Sequence, residues 1–198
     1  MTFAQRYLSE TAILAAQIDA DAIERMAATL LAVRTRGGRL FFLGLGGGAG
    51  HASHAVNDFR KLAGFEAYAP TDNVSELTAR TNDDGWPTVF THWLEGSRLS
   101  RNDGLFVFSV GGGNIENEIS MPIVRALQYS RGLGCAIVGI VGYDGGFTVG
   151  VADACVVVPT VAGERMTAHT ESFQAVIWHL LVFHPLLQLS PAKWEAML

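Results

Sequence analysis

Two side chains suited to acid–base or metal chemistry, His54 and Asp58, lie four residues apart in one short segment. Residues at this spacing are neighbours on one face of a helix. An imidazole and a carboxylate placed this way can bind a divalent metal ion together, or act as a general base and the partner that orients it. A hydrogen-bonded pair on a solvated helix face is the alternative, and these two residues alone leave both interpretations open.

The C-terminal part of the chain carries a second group of such side chains within a strongly apolar segment. Its members are His169, Glu171, Gln174, His179 and His184. A polar side chain is costly to bury in apolar surroundings unless it is hydrogen-bonded. His179, which lies inside the run AVIWHLL, is therefore either part of a functional site or a core histidine bonded to a backbone carbonyl. Both interpretations remain open.

Two glycine clusters, each preceded by an apolar strand-like run, are further candidate elements of a site. Residues 44–49 read GLGGGA before a helix predicted over 49–61, and residues 109–114 read SVGGGN before a helix predicted over 115–130. Glycine lets backbone N–H groups approach a ligand closely, and the dipole at a helix N-terminus favours negative charge. Two such loops in one small α/β domain predict a site for an anionic or polyhydroxy small molecule between them.

The first glycine cluster also matches the dinucleotide-binding fingerprint, which is the alternative interpretation of this segment. That fingerprint needs an acidic residue about 20 positions further on, at the end of the second strand, to hold the ribose. Glu66 opens its predicted strand instead of closing it, and Asp72 lies beyond the strand. A nucleotide site would also leave the second glycine cluster unexplained. The sequence therefore favours the small-molecule site.

An acidic segment at residues 82–86, which reads NDDGW, is predicted to be a turn with exposed carboxylates. Asp83 in this turn could reach the hydroxyl groups of a ligand. A solvated turn that caps a helix is the more common role of such a run.

The composition limits the classes of function that the chain can have. Of its 198 residues, 17% are charged and 49% are hydrophobic, and the net charge is −5. A soluble domain usually has about 25% charged residues, so the shortage predicts surface buried against other subunits. The negative charge argues against nucleic acid as a partner, and no run reaches the ~18 apolar residues of a membrane helix. Without a signal peptide, and with Cys135 and Cys155 expected as buried thiols, we predict a cytoplasmic oligomer.

The order of the elements predicts the fold. The first 36 residues have the pattern of two helices, with Asp19 or Asp21 as a cap between them. The strand-like runs are apolar on consecutive residues, as in a parallel sheet covered on both faces. These runs are residues 40–43, 66–69, 105–109, 135–141 and 155–158, and helices are predicted near 74–79, 87–94 and 169–183.

We therefore predict one α/β domain over residues 1–198, with a doubly wound five-stranded parallel sheet in a three-layer αβα arrangement. An N-terminal helical pair (1–36) precedes an α/β core (37–185) and an apolar C-terminal tail (186–198).

Taken together, the motifs resemble the sugar-isomerase (SIS) domain family, and within it the phosphoheptose isomerases. The family patterns G-N-G-G-S and A-x-H-x-x-x-E resemble residues 44–48 and 52–58. The family loop S-T-S-G-N-S resembles residues 109–114. The patterns T-G-x-D-G-G and A-D-x-x-x-x-V-P resemble residues 141–146 and 152–159. The resemblance covers nearly the whole chain, and the order of the motifs is more specific than any one of them.

The resemblance implies a doubly wound fold of the flavodoxin-like type and a metal ion, usually zinc, between two helices. By matching family positions, the implied ligands are His54, Asp58, Glu171 and His179. Helix geometry puts residues i and i+8 about 80° apart around the axis, so we expect Glu171 in the first turn of its helix. The resemblance also implies a homotetramer with sites at the subunit boundaries.

The implied activity is aldose–ketose isomerisation of a sugar phosphate, with sedoheptulose 7-phosphate as the default substrate. Asp58 would then be the base that takes the proton next to the carbonyl, and His179 would protonate on the other side. The residues expected to bind the substrate are Gly46, Gly47, Gly48, Asp83, Ser109, Gly111, Gly112 and Asn114.

Departures from the family pattern support a second hypothesis, a non-catalytic SIS module that senses a sugar phosphate or scaffolds a partner. Gly48, Gly111 and Asn114 stand where the family has serine hydroxyls, and only Ser109 is retained. Asp58 replaces a glutamate and is shorter by one methylene, about 1.5 Å. The retained histidines and carboxylates on the two facing helices favour the isomerase. Metal content discriminates, because a module without chemistry should purify without stoichiometric metal.

Overall fold

A computed structural model describes residues 1–197 of the chain and contains one five-stranded sheet in which all strands are parallel. The strands are β1 (Leu40–Gly44), β2 (Ala67–Tyr68), β3 (Gly104–Ser109), β4 (Ala136–Val141) and β5 (Ala154–Val157). Their order across the sheet is β2-β1-β3-β4-β5, the order of the doubly wound flavodoxin-like folds. The predicted fold class is therefore confirmed.

Eight α-helices surround the sheet within the described residues. They are α1 (Phe3–Gln17), α2 (Ala20–Thr35), α3 (Gly47–Lys61), α4 (Val74–Asp84), α5 (Val89–Gly96), α6 (Met121–Leu133), α7 (Gly146–Val151) and α8 (Met166–Val182). The side chain of Asp19 caps α2 by accepting the N–H of Ala22 at 3.0 Å. Thr2 caps α1 in a reciprocal pair with Gln5.

The strands β1 and β3 are buried along their whole length, and β4 is buried except at its first residue, as in a sheet covered on both faces. Alternate side chains of β1 and β3 point into two separate cores: Phe42 and Phe106 into one, Phe41 and Leu105 into the other. Helices α2, α3 and α8 contribute to the first core. Helices α5 and α6 contribute to the second. The result is a layered structure in which α3 and α8 share one face of the sheet.

The two glycine clusters meet at the point where the winding of the sheet reverses. Strands β1 and β3 are neighbours, yet β1 leads into α3 on one face and β3 leads towards α6 on the other. A crevice opens between the carboxyl ends of two such strands and is the usual place for a ligand in this class of sheet. The loops are close: a β-carbon at Gly48 would lie 2.7 Å from the carbonyl oxygen of Phe108.

The helix after the second glycine cluster begins at Met121, so its prediction from residue 115 was wrong. Residues 114–120 form a tight loop in which the backbones of Asn114 and Ile119 pair. Ser120 has a positive φ of 55°, which is not helical, and Pro122 then stands in the first turn of α6. Proline is favoured there because the first-turn N–H groups have no helical partner.

Other boundaries also differ from the prediction. Helix α3 begins two residues earlier than predicted, at Gly47, and α8 begins at Met166. The predicted turn at residues 82–86 is partly helical, because Asp83 lies in the last turn of α4. Helix α7 was not predicted.

The C-terminal tail is partly packed against the core. Leu187 is buried, and the guanidinium of Arg34 donates hydrogen bonds to the carbonyl groups of Leu186 and Leu187. The N–H of Leu189 bonds to Leu62, whereas Trp194 is exposed. The last residue of the predicted tail, Leu198, lies outside the described residues.

Both cysteines are free thiols, as predicted. Cys135 is buried as expected, whereas Cys155 is partly exposed because β5 is an edge strand, so the expectation that both are buried was wrong for Cys155. Burial raises the pKa of Cys135 to about 11 and that of Cys155 to about 12, so both are unreactive near neutral pH. In the part of the chain that the structure describes, no helix is both long and apolar enough to cross a membrane.

Candidate metal and substrate site

Helices α3 and α8 lie side by side and bring His54, Asp58 and His179 into one cluster. The carboxylate Oδ2 of Asp58 is 3.7 Å from Nε2 of His54 and 4.0 Å from Nε2 of His179. Both distances are longer than a hydrogen bond. The three ligand atoms all lie within 4.8 Å of one another. The i,i+4 pair predicted on α3 therefore faces a second histidine from a distant part of the chain.

A backbone hydrogen bond orients His179. Its Nδ1 lies 2.7 Å from the carbonyl oxygen of Ala175, one turn earlier in α8, and its ring stacks on Trp178 with centroids 3.5 Å apart. A carbonyl only accepts, so Nδ1 carries a proton, and the neutral form of the ring has its lone pair at Nε2. The two interpretations of this histidine are thus compatible: one nitrogen bonds to a carbonyl, and the other faces Asp58.

Asp58 is the most enclosed member of the cluster. Its side chain is 16% exposed, whereas those of His54 and His179 are 58% and 43% exposed. The Nδ2 group of Asn57 donates a hydrogen bond of 2.7 Å to Oδ1 of Asp58. One carboxylate oxygen is thereby held, and the other faces the two imidazoles.

The donor set of the cluster fits a divalent metal ion. Two imidazoles and one carboxylate are a ligand combination found in catalytic zinc sites, where a fourth position stays open. The hydrogen bond that orients His179 is the kind of contact that supports metal-bound histidines. The cluster could therefore hold such an ion between α3 and α8.

Glu171 does not join this cluster. It is the sixth residue of α8, so the expectation that it lies in the first turn was wrong. Its carboxylate lies against Gly47 at the start of α3: a β-carbon on Gly47 would be 2.5 Å from Oε1 and 2.6 Å from Oε2. Of the four metal ligands that the resemblance implies, three therefore form the cluster, and the fourth, Glu171, lies at the first glycine loop.

His51 is a candidate functional residue that the sequence reasoning did not assign. It lies one turn before His54 on α3, with its ring centroid 6.0 Å from that of Phe108 at the end of β3. Burial lowers the pKa of His51, and the nearby charge of Glu171 opposes that effect only in part. The signal in the sequence was its spacing, because residues 47, 51, 54 and 58 share one helix face.

The second glycine loop is held in a fixed shape by its own polar groups. Ser109 Oγ accepts a hydrogen bond of 3.0 Å from the N–H of Gly112. The carbonyl of Gly112 in turn accepts from both the N–H and the hydroxyl of Thr148, at 3.0 and 2.7 Å. Within residues 1–197, the N–H groups of Gly111 and Gly113 have no protein acceptor. Free N–H groups in such a loop can bind an anion.

The other residues that were predicted to bind the substrate do not lie together in one loop. Asn114 uses its side-chain oxygen to accept the N–H of Asn117 at 2.8 Å. Gly46 has a positive φ of 56° immediately before α3, and Gly48 lies in the first turn of that helix. Asp83 is exposed on α4, where its carboxylate accepts a hydrogen bond from Asn82. Among the described residues, this hydrogen bond within α4 is the only one that the Asp83 side chain makes.

Known proteins resemble the chain in sequence and in structure, although no model of a protein family matches it. The lincomycin biosynthesis protein LmbN of Streptomyces lincolnensis is 30% identical over 184 residues, which are 88% of this chain and 65% of LmbN. The phosphoheptose isomerase of Solidesulfovibrio magneticus is 30% identical over 200 residues, 93% of this chain and 92% of that protein.

The solved structure of phosphoheptose isomerase GmhA from Neisseria gonorrhoeae superimposes with a TM-score of 0.78. Its sequence is 22% identical, and the match covers 92% of this chain and 97% of that one. This likeness establishes that the fold is the SIS fold. Together with the identity to the Solidesulfovibrio protein along nearly the whole chain, it leads to one conclusion: the chain belongs to the phosphoheptose isomerase family, whose members are aldose–ketose isomerases.

Proposed function

We propose that the chain interconverts sedoheptulose 7-phosphate and the corresponding aldose, glycero-manno-heptose 7-phosphate, through an enediol. The observation that carries the proposal is the cluster of His54, Asp58 and His179, two members of which lie on α3, the helix that follows the first glycine loop. The two relatives named phosphoheptose isomerase favour this enzyme over a non-catalytic SIS module.

The reaction moves one proton between adjacent carbon atoms, so it requires a base and an acid but no external oxidant. Asp58 is suited to take the proton from the carbon next to the carbonyl, because its Oδ2 faces the groove while Asn57 holds Oδ1. His179 is suited to return a proton from Nε2, which is 4.0 Å from Oδ2 of Asp58, in the state in which that nitrogen is protonated and not bound to a metal ion. Carboxylate and imidazole groups are the usual partners for such transfers near neutral pH.

The same three residues are the proposed ligands of a divalent ion, and zinc is the first candidate. With such an ion bound, the cluster would supply positive charge beside the carbonyl oxygen and stabilise the negative charge of the enediolate. The tautomer of His179 supports this proposal, since its lone pair is on the nitrogen that faces Asp58. The proposed ligand set does not include Glu171, which lies at Gly47.

The second glycine loop is the proposed site for the phosphate group. The free N–H groups of Gly111 and Gly113 support this assignment, and so does the hydroxyl of Ser109, which accepts from Gly112 and keeps its own proton to donate. These groups replace the serine hydroxyls of the family pattern.

A cytoplasmic homotetramer is part of the same proposal. Exposed apolar side chains on α1 support subunit association: Phe3 is 68% and Leu8 is 67% exposed. The two free cysteines agree with a reducing compartment.

Proton NMR of the purified protein with sedoheptulose 7-phosphate and zinc in deuterated water tests the proposal. We expect deuterium uptake next to the carbonyl and a new aldose signal. Folded, zinc-loaded protein without exchange would contradict the heptose phosphate as substrate. Folded protein that neither exchanges deuterium nor binds zinc would instead support the non-catalytic module.

A further inference from the structure

Trp178 lies next to the cluster of His54, Asp58 and His179, although the chemistry proposed above does not use it. Its side chain is fully buried in the core to which α3 and α8 contribute. The indole stacks on the imidazole of His179, with ring centroids 3.5 Å apart and an angle of 26° between the planes. It also contacts the imidazole of His54 edge to face, at 4.8 Å and 68°. One side chain of α8 thus contacts an imidazole on each of the two helices.

The orientation of His54 depends on these aromatic contacts. Its side chain is 58% exposed, its Nε2 is 3.7 Å from the Asp58 carboxylate, and no hydrogen bond holds the ring within residues 1–197. A histidine that binds a metal ion usually donates its second N–H to a fixed acceptor, which orients the ring. His179 has such an acceptor in the carbonyl of Ala175, and His54 has none. The ring of His54 lies instead against Trp178 and, at 5.4 Å, against His179.

The indole of Trp178 makes its contacts by packing and not by hydrogen bonding. Its Nε1–H group is buried and has no acceptor in the part of the chain that the structure describes. A buried donor without a partner costs free energy, and phenylalanine or leucine would fill the core at this position without that cost. Tryptophan offers instead a wide aromatic surface. This surface is the part of the side chain that meets the two imidazoles.

We propose that Trp178 is a positioning residue, whose indole holds the imidazoles of His54 and His179 in the orientation that converges on Asp58. This inference rests on the proposed function, in which both imidazoles are ligands of a divalent ion. Groups that are already ordered lose less conformational freedom when they bind. Removal of the indole should therefore weaken the affinity for the ion, although Trp178 itself contributes no ligand atom.

The zinc affinity of three variants, measured by competition with a chelator, tests the proposal. Trp178→Leu removes the aromatic surface, and Trp178→Phe keeps a smaller one. Trp93→Leu is the matched control, because Trp93 is also a buried tryptophan but lies on α5, in the other core. Thermal unfolding is recorded for each variant. Proton NMR of the metal-free proteins follows the ring protons of His54, whose chemical shifts an adjacent indole displaces from those of a free histidine.

We expect Trp178→Leu to weaken zinc binding roughly 10- to 100-fold, the range for loss of a contact that orients a ligand. Trp178→Phe should weaken it only several-fold, because part of the aromatic surface remains. Trp93→Leu should lower the unfolding temperature but keep the zinc affinity of the parent. The His54 ring signals should move towards those of a free histidine only in the variants of Trp178. If the leucine variant does not fold, the phenylalanine variant is compared with the control in the same way.

Equal zinc affinity in the parent and the Trp178 variants would overturn the proposal. An equal loss in Trp93→Leu would also overturn it, since lost stability would then account for the effect. If the parent binds no zinc, the proposed metal site fails and the His54 signals decide this inference, which is overturned if they do not move. A graded loss of zinc affinity without any isomerisation would contradict the proposed function and leave this inference standing.

Discussion

The carboxylate of Glu171 occupies the space where Gly47 would carry a β-carbon if it were any other residue. The two carboxylate oxygens would be 2.5 and 2.6 Å from such an atom. One residue is in the second turn of α8 and the other is the first residue of α3, so this contact links the two helices at the first glycine loop.

Gly47→Ala should therefore displace the Glu171 carboxylate. The side chain of Glu171 is flexible, so the free energy of unfolding should change by less than about 1 kcal/mol, in part because alanine is the better helix former. The KM for sedoheptulose 7-phosphate should rise about 10-fold. Gly50→Ala is the control, since nothing lies within 4 Å of a β-carbon there. An unchanged KM in Gly47→Ala would contradict a role of this contact in substrate binding. Steady-state kinetics measure the KM, and thermal unfolding measures the stability.

Asp58→Asn should lower kcat by about 100-fold or more, because the amide cannot take a proton from carbon. The variant should fold, since the amide keeps an oxygen that can accept from Asn57. Asp21→Asn, on the exposed side of α2, is the control. Activity retained at the parent rate in Asp58→Asn would mean that another group is the base. Deuterium exchange into the substrate is the most direct readout.

Replacement of His179 by glutamine should weaken zinc binding. Loss of a supporting contact to a ligand costs roughly 10–100-fold in metal affinity, and loss of the ligand itself should cost at least as much. His92→Gln is a suitable control, because His92 also faces a carboxylate, that of Asp84 at 3.0 Å, but lies on α5 away from the cluster. Competition with a chelator measures both variants. Equal zinc affinity in both would rule out His179 as a ligand.

Glu10 should make the stability of the protein depend on acid pH. It accepts hydrogen bonds from Arg165 at 2.7 and 2.8 Å and lies 3.0 Å from His169, and these contacts lower its pKa to about 2. A carboxylate with a depressed pKa stabilises the fold above its ordinary pKa of 4.5, and this stabilisation is lost as the pH falls from about 4.5 to about 2.

The stability difference between the parent and Glu10→Gln should therefore be largest at pH 7 and shrink below pH 4.5. Urea unfolding at several pH values measures it. Glu164→Gln removes the other carboxylate that pairs with Arg165, but this one is 68% exposed, so its effect should be much smaller. A difference between parent and Glu10→Gln that stays constant with pH would contradict the assignment.

The sequence alone was sufficient for the fold class. Apolar residues on consecutive positions of β1 and β3 require burial on both faces, and that requirement determines a parallel sheet with helices on each side. The glycine clusters marked the ends of these strands. The start of α6 was missed because residues 114–120 have no helix-breaking glycine, and only backbone pairing between Asn114 and Ile119 determines their conformation.

For the site, the sequence by itself determined the i,i+4 pair of His54 and Asp58, because helical periodicity is a local property. Only the tertiary structure decided which distant side chains meet that pair, since the packing of α8 beside α3 depends on the whole core. It brought His179 to Asp58 and Glu171 to Gly47, although both belong to one helix. Residues eight positions apart on a straight helix are about 12 Å apart along its axis, so they face different parts of the groove.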